Sequence, residues 1–95
     1  LGQVVVNANS AVTIGLWTYK TSSSGKVTLK IPGAVDKGFA DQTVDSSSAS
    51  INTWVKIEKT FTPTASGAIT IEVTMDSGGS GSQYVYIDDL EVSQA

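Results

Sequence analysis

Apolar and polar residues alternate one by one along most of this chain, and no segment carries an apolar stripe at helical spacing. Because residues i and i+2 of a strand share a face, this alternation predicts strands with one buried face. Turn residues separate the alternating segments at short intervals, which is typical of an antiparallel β-sandwich. We therefore predict an all-β fold of about six to eight strands. The segments with this pattern are Ala11–Lys20, Lys26–Ile31, Thr53–Thr62, Ala68–Asp76 and Gln83–Ser93, and Gln3–Val6 is a further short strand candidate. Residues 34–50 are the least periodic part of the chain, with room for one extra short strand near Phe39–Val44.

The segment Gln83–Ser93 contains a break in the alternation. Its apolar residues Val85 and Ile87 are followed by Leu90 and Val92, which have the opposite parity. A one-residue slip moves the apolar set to the other face of a sheet. The sequence therefore predicts a β-bulge, or a switch between sheets, at Asp88–Asp89.

Two further expectations concern strand pairing. The polar turn Thr21–Gly25 joins two alternating segments, so we expect Ala11–Lys20 and Lys26–Ile31 to form a hairpin with a longer loop. Lys59 has the parity of the inward-facing residues in its segment. We therefore expect either that its ammonium group extends outward to solvent or that the strand lies near an edge.

Composition excludes several classes of function. The chain has 95 residues and a net charge of −3, with six lysines, no arginine, no histidine and no cysteine. Nucleic-acid binding and catalysis by histidine triads or thiolates are therefore not expected, and we predict no enzyme activity. No run is apolar enough to span a membrane. Serine and threonine make up about a quarter of the residues, which favours an extracellular or virion-surface location.

Three stretches in order resemble the jelly-roll carbohydrate-binding modules, which have the galactose-binding-like sandwich found in xylan- and glucan-binding families. These stretches read AVTIGLWTYKTSSSGKVTLKI, TWVKIEKTFTPTASGAITIEVT and YVYIDDLEVS. The motif counterparts are Trp17–Lys20, Trp54–Phe61, Gly67 and Val85–Val92, so the resemblance covers most of the chain. It implies a single jelly-roll domain over residues 1–95.

The chain departs from that family at its beginning. Modules of this kind usually carry one or two additional strands ahead of the segment matched by QVVVNANS. We therefore expect a fragment or one domain of a longer chain, or a sandwich whose edge a neighbouring subunit completes, because an unpaired edge strand invites pairing.

Candidate glycan-binding residues lie on two segments. Trp17 and Tyr19 face away from the apolar side of their strand, and Tyr84 and Tyr86 occur together on the last one. Flat rings with polar tips suit stacking on sugars, although the same rings also suit packing against a loop or a partner. Gln83, with Gln42 and Asn52, supplies amides for hydrogen bonds to hydroxyl groups.

Three other residues have expected roles. The resemblance implies that Trp54 is structural and covers one end of the core. It also implies that Asp88 helps to hold a structural calcium ion. Asp88 and Asp89 are adjacent on a strand and should point to opposite faces, so a shared catalytic site is unfavourable. The alternative is a bulge whose carboxylates accept backbone N–H bonds or pair with lysine.

Together these features predict a non-catalytic carbohydrate-binding module attached to a larger exported or virion protein. The predicted partner is a polysaccharide or glycan. The alternative is a structural or decoration domain of a capsid, a tail or a cell-surface filament, with neighbouring subunits as partners. Fold alone does not choose between these two functions.

Overall fold

The computed structural model describes residues 2–76 and 84–95 of the chain. Within them lie seven strands and one turn of 3-10 helix, at Val35–Lys37. The prediction of an antiparallel all-β sandwich with six to eight strands is confirmed. The strands are β1 (Gly2–Val6), β2 (Val12–Lys20), β3 (Lys26–Ile31), β4 (Gln42–Asp45), β5 (Val55–Phe61), β6 (Gly67–Asp76) and β7 (Val85–Gln94).

The strands form two layers, a four-stranded sheet with order β1-β6-β3-β4 and a three-stranded sheet with order β5-β2-β7. Consecutive strands lie in different sheets except for β3 and β4. The predicted hairpin of β2 with β3 is therefore wrong, since the turn between them carries the chain from one layer to the other. Both strands direct apolar residues inward, so their alternation is the same whether they pair or face each other.

The core lies between the two layers. Its side chains come from the inward-facing positions of all strands except β4 and β7, which pack partly buried residues against it. Each fully buried large aliphatic side chain contributes about 1.5–3 kcal/mol relative to exposure. Contact between the layers therefore holds the sandwich together. The buried apolar residues are Val6, Val12, Ile14, Leu16, Val27, Leu29, Ile31, Ile57, Phe61, Ile69 and Ile71.

The predicted bulge is present in β7. Gly15 pairs with Glu91, but Trp17, two residues further along β2, pairs with Asp88, three residues back along β7. The extra residue lies in β7, and Asp89 adopts the left-handed backbone conformation with φ 52°. A bulge of this kind locally bends the strand and increases its twist.

The bulge changes which residues of β7 face the core. Before it, Val85 and Ile87 pack against the core. After it, Val92 pairs with the buried Ile14 and so lies on the same side of the sheet. The predicted change of parity is confirmed.

The seam between β7 and β1 is the open side of the sandwich. Leu90 is 39% exposed and Val92 is 41% exposed. Leu90 also borders a shallow cavity of about 190 Å³ with Gly2, Gln3, Val4 and Ile71 of the other layer. Apolar side chains directed toward the interior are thus only partly covered here.

The opposite edge of the three-stranded sheet is β5, which carries Lys59. The expectation that this lysine lies on an edge strand is confirmed. In the described part of the chain, no helix has the length and apolar character needed to cross a membrane.

Candidate functional site: an aromatic cleft on the three-stranded sheet

The outward face of the three-stranded sheet carries most of the residues that the sequence singled out. On β2, Trp17 and Tyr19 face outward, opposite to the buried Leu16. Tyr19 pairs with Tyr86 of β7, so the two rings lie on the same side of the sheet. The pairing of β2 with β7 therefore brings the two predicted aromatic pairs onto one surface.

Four rings form a row at one end of this face. The ring centroids of Trp54 and Tyr19 are 5.4 Å apart, and those of Tyr19 and Tyr86 are 5.9 Å apart. Tyr84 continues the row, with its centroid 6.2 Å from that of Tyr86 and the two planes 22° apart. Tyr84 and Tyr86 remain about half exposed, at 51% and 49%. The rings contact one another but leave area free for a ligand.

The row borders an open cleft of about 520 Å³, lined by Tyr19, Thr21, Trp54 and Tyr86. Thr21 anchors the start of β7, because its hydroxyl group accepts a hydrogen bond from the Tyr84 amide at 2.8 Å. The cleft thus combines apolar ring surface with hydroxyl groups, which is the mixture that small-molecule sites commonly present.

Trp54 lies on this surface and not at the end of the core, so the prediction of a buried structural role was wrong. It is 46% exposed and precedes β5. Strand parity contained the signal, because Trp54 is in register with the outward-facing Lys56 and Glu58 and out of register with the buried Ile57. The family motif suggested a role that the parity of this strand contradicts.

A second pocket, of about 200 Å³, adjoins the cleft and is lined by Trp17, Trp54, Asp88 and Asp89. Both aspartates therefore border one pocket, whereas adjacent residues of a regular strand point to opposite faces. The bulge is the reason, since the left-handed conformation of Asp89 interrupts the alternation of side chains. Asp88 Oδ1 also accepts a hydrogen bond from the Asp89 amide at 2.9 Å, as the bulge alternative predicted.

The resemblance implied that Asp88 helps to hold a structural calcium ion. Calcium takes about six to eight oxygen ligands. Within residues 2–76 and 84–95, no three acidic side chains are grouped so that they could hold a metal ion. Asp88 and Asp89 alone supply fewer oxygens than calcium requires, and the calcium role of Asp88 stays a prediction.

The loop that carries Trp54 is tied to the end of β2. The buried Lys20 donates from Nζ to the carbonyl oxygens of Ser46 at 2.9 Å and Ser47 at 3.1 Å. The Asn52 amide donates to the Lys20 carbonyl at 2.8 Å. Thr18 adds a bond from its hydroxyl group to the carbonyl of Val55, at 3.0 Å. These bonds position Trp54 beside Tyr19.

An ion-pair group occupies the middle of the same face. Lys56 on β5 extends across β2 to Glu91 on β7, with Nζ 2.8 Å from Oε1, and it also lies 3.6 Å from Glu58. The hydrogen bond to Glu91 is the main reason that the pKa of Lys56 is raised. Gly15 lies under this bridge, because a Cβ atom there would come within 2.7 Å of Lys56 Cε.

The predicted amides have mixed outcomes. Gln42 lies on β4 in the other sheet and does not contribute to the cleft, so that prediction was wrong. Asn52 lies in the loop before Trp54, where its backbone holds the end of β2. Gln83 lies outside the described residues, and so does the predicted loop Ser77–Ser82.

Comparisons with protein-family models, with curated proteins and with solved structures found no match to this chain. The resemblance to carbohydrate-binding modules therefore depends on sequence motifs alone and stays a prediction.

Proposed function

We propose that this protein is a non-catalytic carbohydrate-binding module of a larger exported or virion protein. In this function, the aromatic cleft binds a glycan through stacking of sugar rings on Trp54, Tyr19 and Tyr86, with Tyr84 extending the surface. The observation that carries the proposal is the row of four rings beside an open cleft of about 520 Å³.

The cleft rings differ from the aromatic residues that stabilise the core. Phe39 and Phe61 pack together with centroids 4.6 Å apart, and Phe61 is buried. By contrast, Trp54, Tyr84 and Tyr86 keep about half of their area in water. Exposed groups of large apolar rings are uncommon on soluble proteins, and such patches commonly mark binding surfaces. Their polar tips suit a ligand rich in hydroxyl groups.

The cleft is open, and its face carries one ion-paired lysine and several carboxylates, so neutral or cationic glycans suit it better than acidic ones. An open site buries little ligand area, and we expect weak binding that depends on several adjacent sugars.

Affinity electrophoresis through a panel of soluble polysaccharides tests the proposal. A folded parent protein should be retarded by at least one polysaccharide, and a Trp54→Ala, Tyr86→Ala double variant should lose the retardation. Val35→Ala is the matched control, since Val35 is a fully exposed apolar residue on another part of the surface. Equal mobility of parent and double variant in every gel, with both proteins folded by circular dichroism, would contradict glycan binding at the cleft.

The second candidate function is that of a structural or decoration domain whose open edge pairs with another copy. The seam between β7 and β1 favours it, because Leu90 and Val92 are only partly covered. The edge strand β1 also has no charged residue to oppose pairing. Sedimentation velocity should then show association that grows with concentration and is lost in Leu90→Glu. A monomer at all concentrations would count against this function.

A further inference from the structure

The pocket beside the aromatic cleft differs from the cleft in that it is lined by acidic residues as well as by aromatic ones. It is lined by two tryptophans, Trp17 and Trp54, and by two aspartates, Asp88 and Asp89. The face of an indole ring attracts a cation through its quadrupole, and a carboxylate attracts it through its full charge. Both kinds of wall therefore favour a positively charged group in the same space of about 200 Å³.

Among residues 2–76 and 84–95, no lysine is paired with the aspartates of this pocket. Lys56 is the lysine that the strand register places on this face, and it is already paired with Glu58 and Glu91. The pocket thus carries negative charge that a bound cation would balance.

Trp54 connects this pocket to the cleft, because it lines both. A sugar stacked on Trp54 therefore places its substituents, or those of the next sugar, within reach of the carboxylates. A ligand that uses both spaces needs an apolar ring face and a positive charge close to it. An amino sugar with a free amine has both.

We propose that the glycan recognised by this protein carries protonated amino groups, an inference that rests on the glycan-binding function proposed above. One such amine binds between Trp17, Trp54, Asp88 and Asp89 while the adjoining sugar ring stacks in the cleft. The ligand class is thus a polymer of amino sugars that are not acetylated. A lysine side chain would fill only the pocket and leave the ring surface of the cleft unused.

Titration calorimetry with matched oligosaccharides tests this specificity. The probes are β-1,4-linked hexamers of glucose, of glucosamine with free amines, and of N-acetylglucosamine, compared at mildly acidic pH. The glucosamine hexamer should bind about tenfold more tightly than the two neutral hexamers. Added salt should reduce that advantage and leave binding of the glucose hexamer nearly unchanged.

Substitutions in the pocket test whether the tighter binding of the glucosamine hexamer depends on its aspartates. An Asp88→Asn, Asp89→Asn double variant should lose the tenfold advantage and keep its affinity for the glucose hexamer. Asparagine tolerates the left-handed conformation at position 89, so this variant keeps the bulge. Asp36→Asn with Glu72→Gln removes the same charge from exposed sites elsewhere and should keep the advantage. Trp54→Ala should weaken binding of all three hexamers.

The outcomes separate this inference from the function on which it rests. Equal affinity for the three hexamers, or an advantage that survives the double variant, would overturn the amine assignment while glycan binding stands. Absence of binding to every hexamer and polysaccharide by the folded protein would overturn both. Displacement of the glucosamine hexamer by an equal concentration of a lysine hexapeptide would show that charge alone is recognised, and would overturn the assignment to a sugar.

Discussion

Lys20 is the residue that connects the core to the cleft. Its side chain is buried, with only 2% exposed, and its ammonium group donates to two backbone carbonyl groups of the loop after β4. A buried cation is tolerated only where hydrogen bonds replace its hydration. Lys20 is therefore a positioning residue, which acts on the cleft through the loop that ends at Trp54.

Replacement of Lys20 by methionine should keep the side-chain volume but remove the ammonium donor from the carbonyl groups of Ser46 and Ser47. The Ser46 carbonyl keeps its hydrogen bond from the Ala49 amide, and Ser47 is exposed to water. A hydrogen bond from a charged group contributes about 1.5–3 kcal/mol, so we expect a loss of that order in the free energy of unfolding measured with urea. The emission of Trp54, measured in a Trp17→Phe background, should also become easier to quench. Lys26→Met changes an exposed lysine and serves as the control. An unchanged free energy of unfolding in Lys20→Met would contradict the positioning role.

Asp45 holds the start of the same loop. It accepts hydrogen bonds from the Ser47 hydroxyl at 2.6 Å and from the Ser47 amide at 3.0 Å. The hydroxyl bond is the main cause of the lowered pKa of Asp45, and the amide bond adds to it. The folded protein thus favours the ionised carboxylate.

This lowered pKa predicts the direction of an acid effect. The stabilisation is complete above the ordinary aspartate value near 3.8 and is lost as the pH falls through the lower pKa of the folded state. The difference in Tm between the parent and Asp45→Asn should therefore be largest above about pH 5 and shrink toward about pH 2. Thermal unfolding across this range measures it, with Asp36→Asn as the control at an exposed site. A difference that does not vary with pH would refute the linkage.

At the scale of the element, β7 has two functions that its bulge separates. Its first half presents Tyr86 to the cleft and Ile87 to the core, and its second half closes the edge of the sandwich with Leu90 and Val92. Without the extra residue at Asp89, the second half would direct its apolar side chains to solvent. The bulge also brings both carboxylates into one pocket.

Substitutions at Asp89 test whether the bulge requires the left-handed backbone conformation at this position. A β-branched residue in the left-handed region costs about 1–2 kcal/mol, whereas glycine adopts it freely. Asp89→Val should therefore lower the free energy of unfolding by about that amount, and Asp89→Gly should be nearly neutral. Asp88→Val, at a neighbouring position without positive φ, loses only the exposed hydrogen bond to the Asp89 amide and should cost less than Asp89→Val. Equal stabilities of the two valine variants would show that the bulge does not constrain position 89.

At the scale of the whole molecule, the sandwich is closed unevenly. The core residues between β2, β3 and β6 are almost completely covered, while the seam between β7 and β1 leaves apolar area in contact with water. Stability should therefore be concentrated in the central strands of the two layers.

Two leucine-to-alanine substitutions compare the stability of the central strands with that of the seam. Leu29→Ala removes a fully buried side chain of β3 and should cost about 2–5 kcal/mol. Leu90→Ala, at the seam, should cost no more than about 1 kcal/mol. Urea unfolding of both variants gives the comparison. A large loss in Leu90→Ala would mean that the seam is covered in solution, as the assembly function requires.

The class of the fold, most of its strands and the bulge at Asp88–Asp89 could be predicted from the amino-acid sequence. Each of these depends on the two-residue period of a strand, which is local and can be read along the chain. The same period is consistent with an outward-facing Trp54, but the prediction followed the family motif and was wrong.

The sequence could not predict which strands are neighbours in a sheet. Two strands that pair and two strands that face each other across a core have the same alternation of apolar and polar residues. Partners in a sheet are distant in sequence, as Tyr19 and Tyr86 are, and their register is set by packing of the whole sandwich. The row of rings beside Trp54 and the shared pocket of Asp88 and Asp89 follow from that packing. For this reason the sequence could name most of the aromatic residues but could not place them around one cleft.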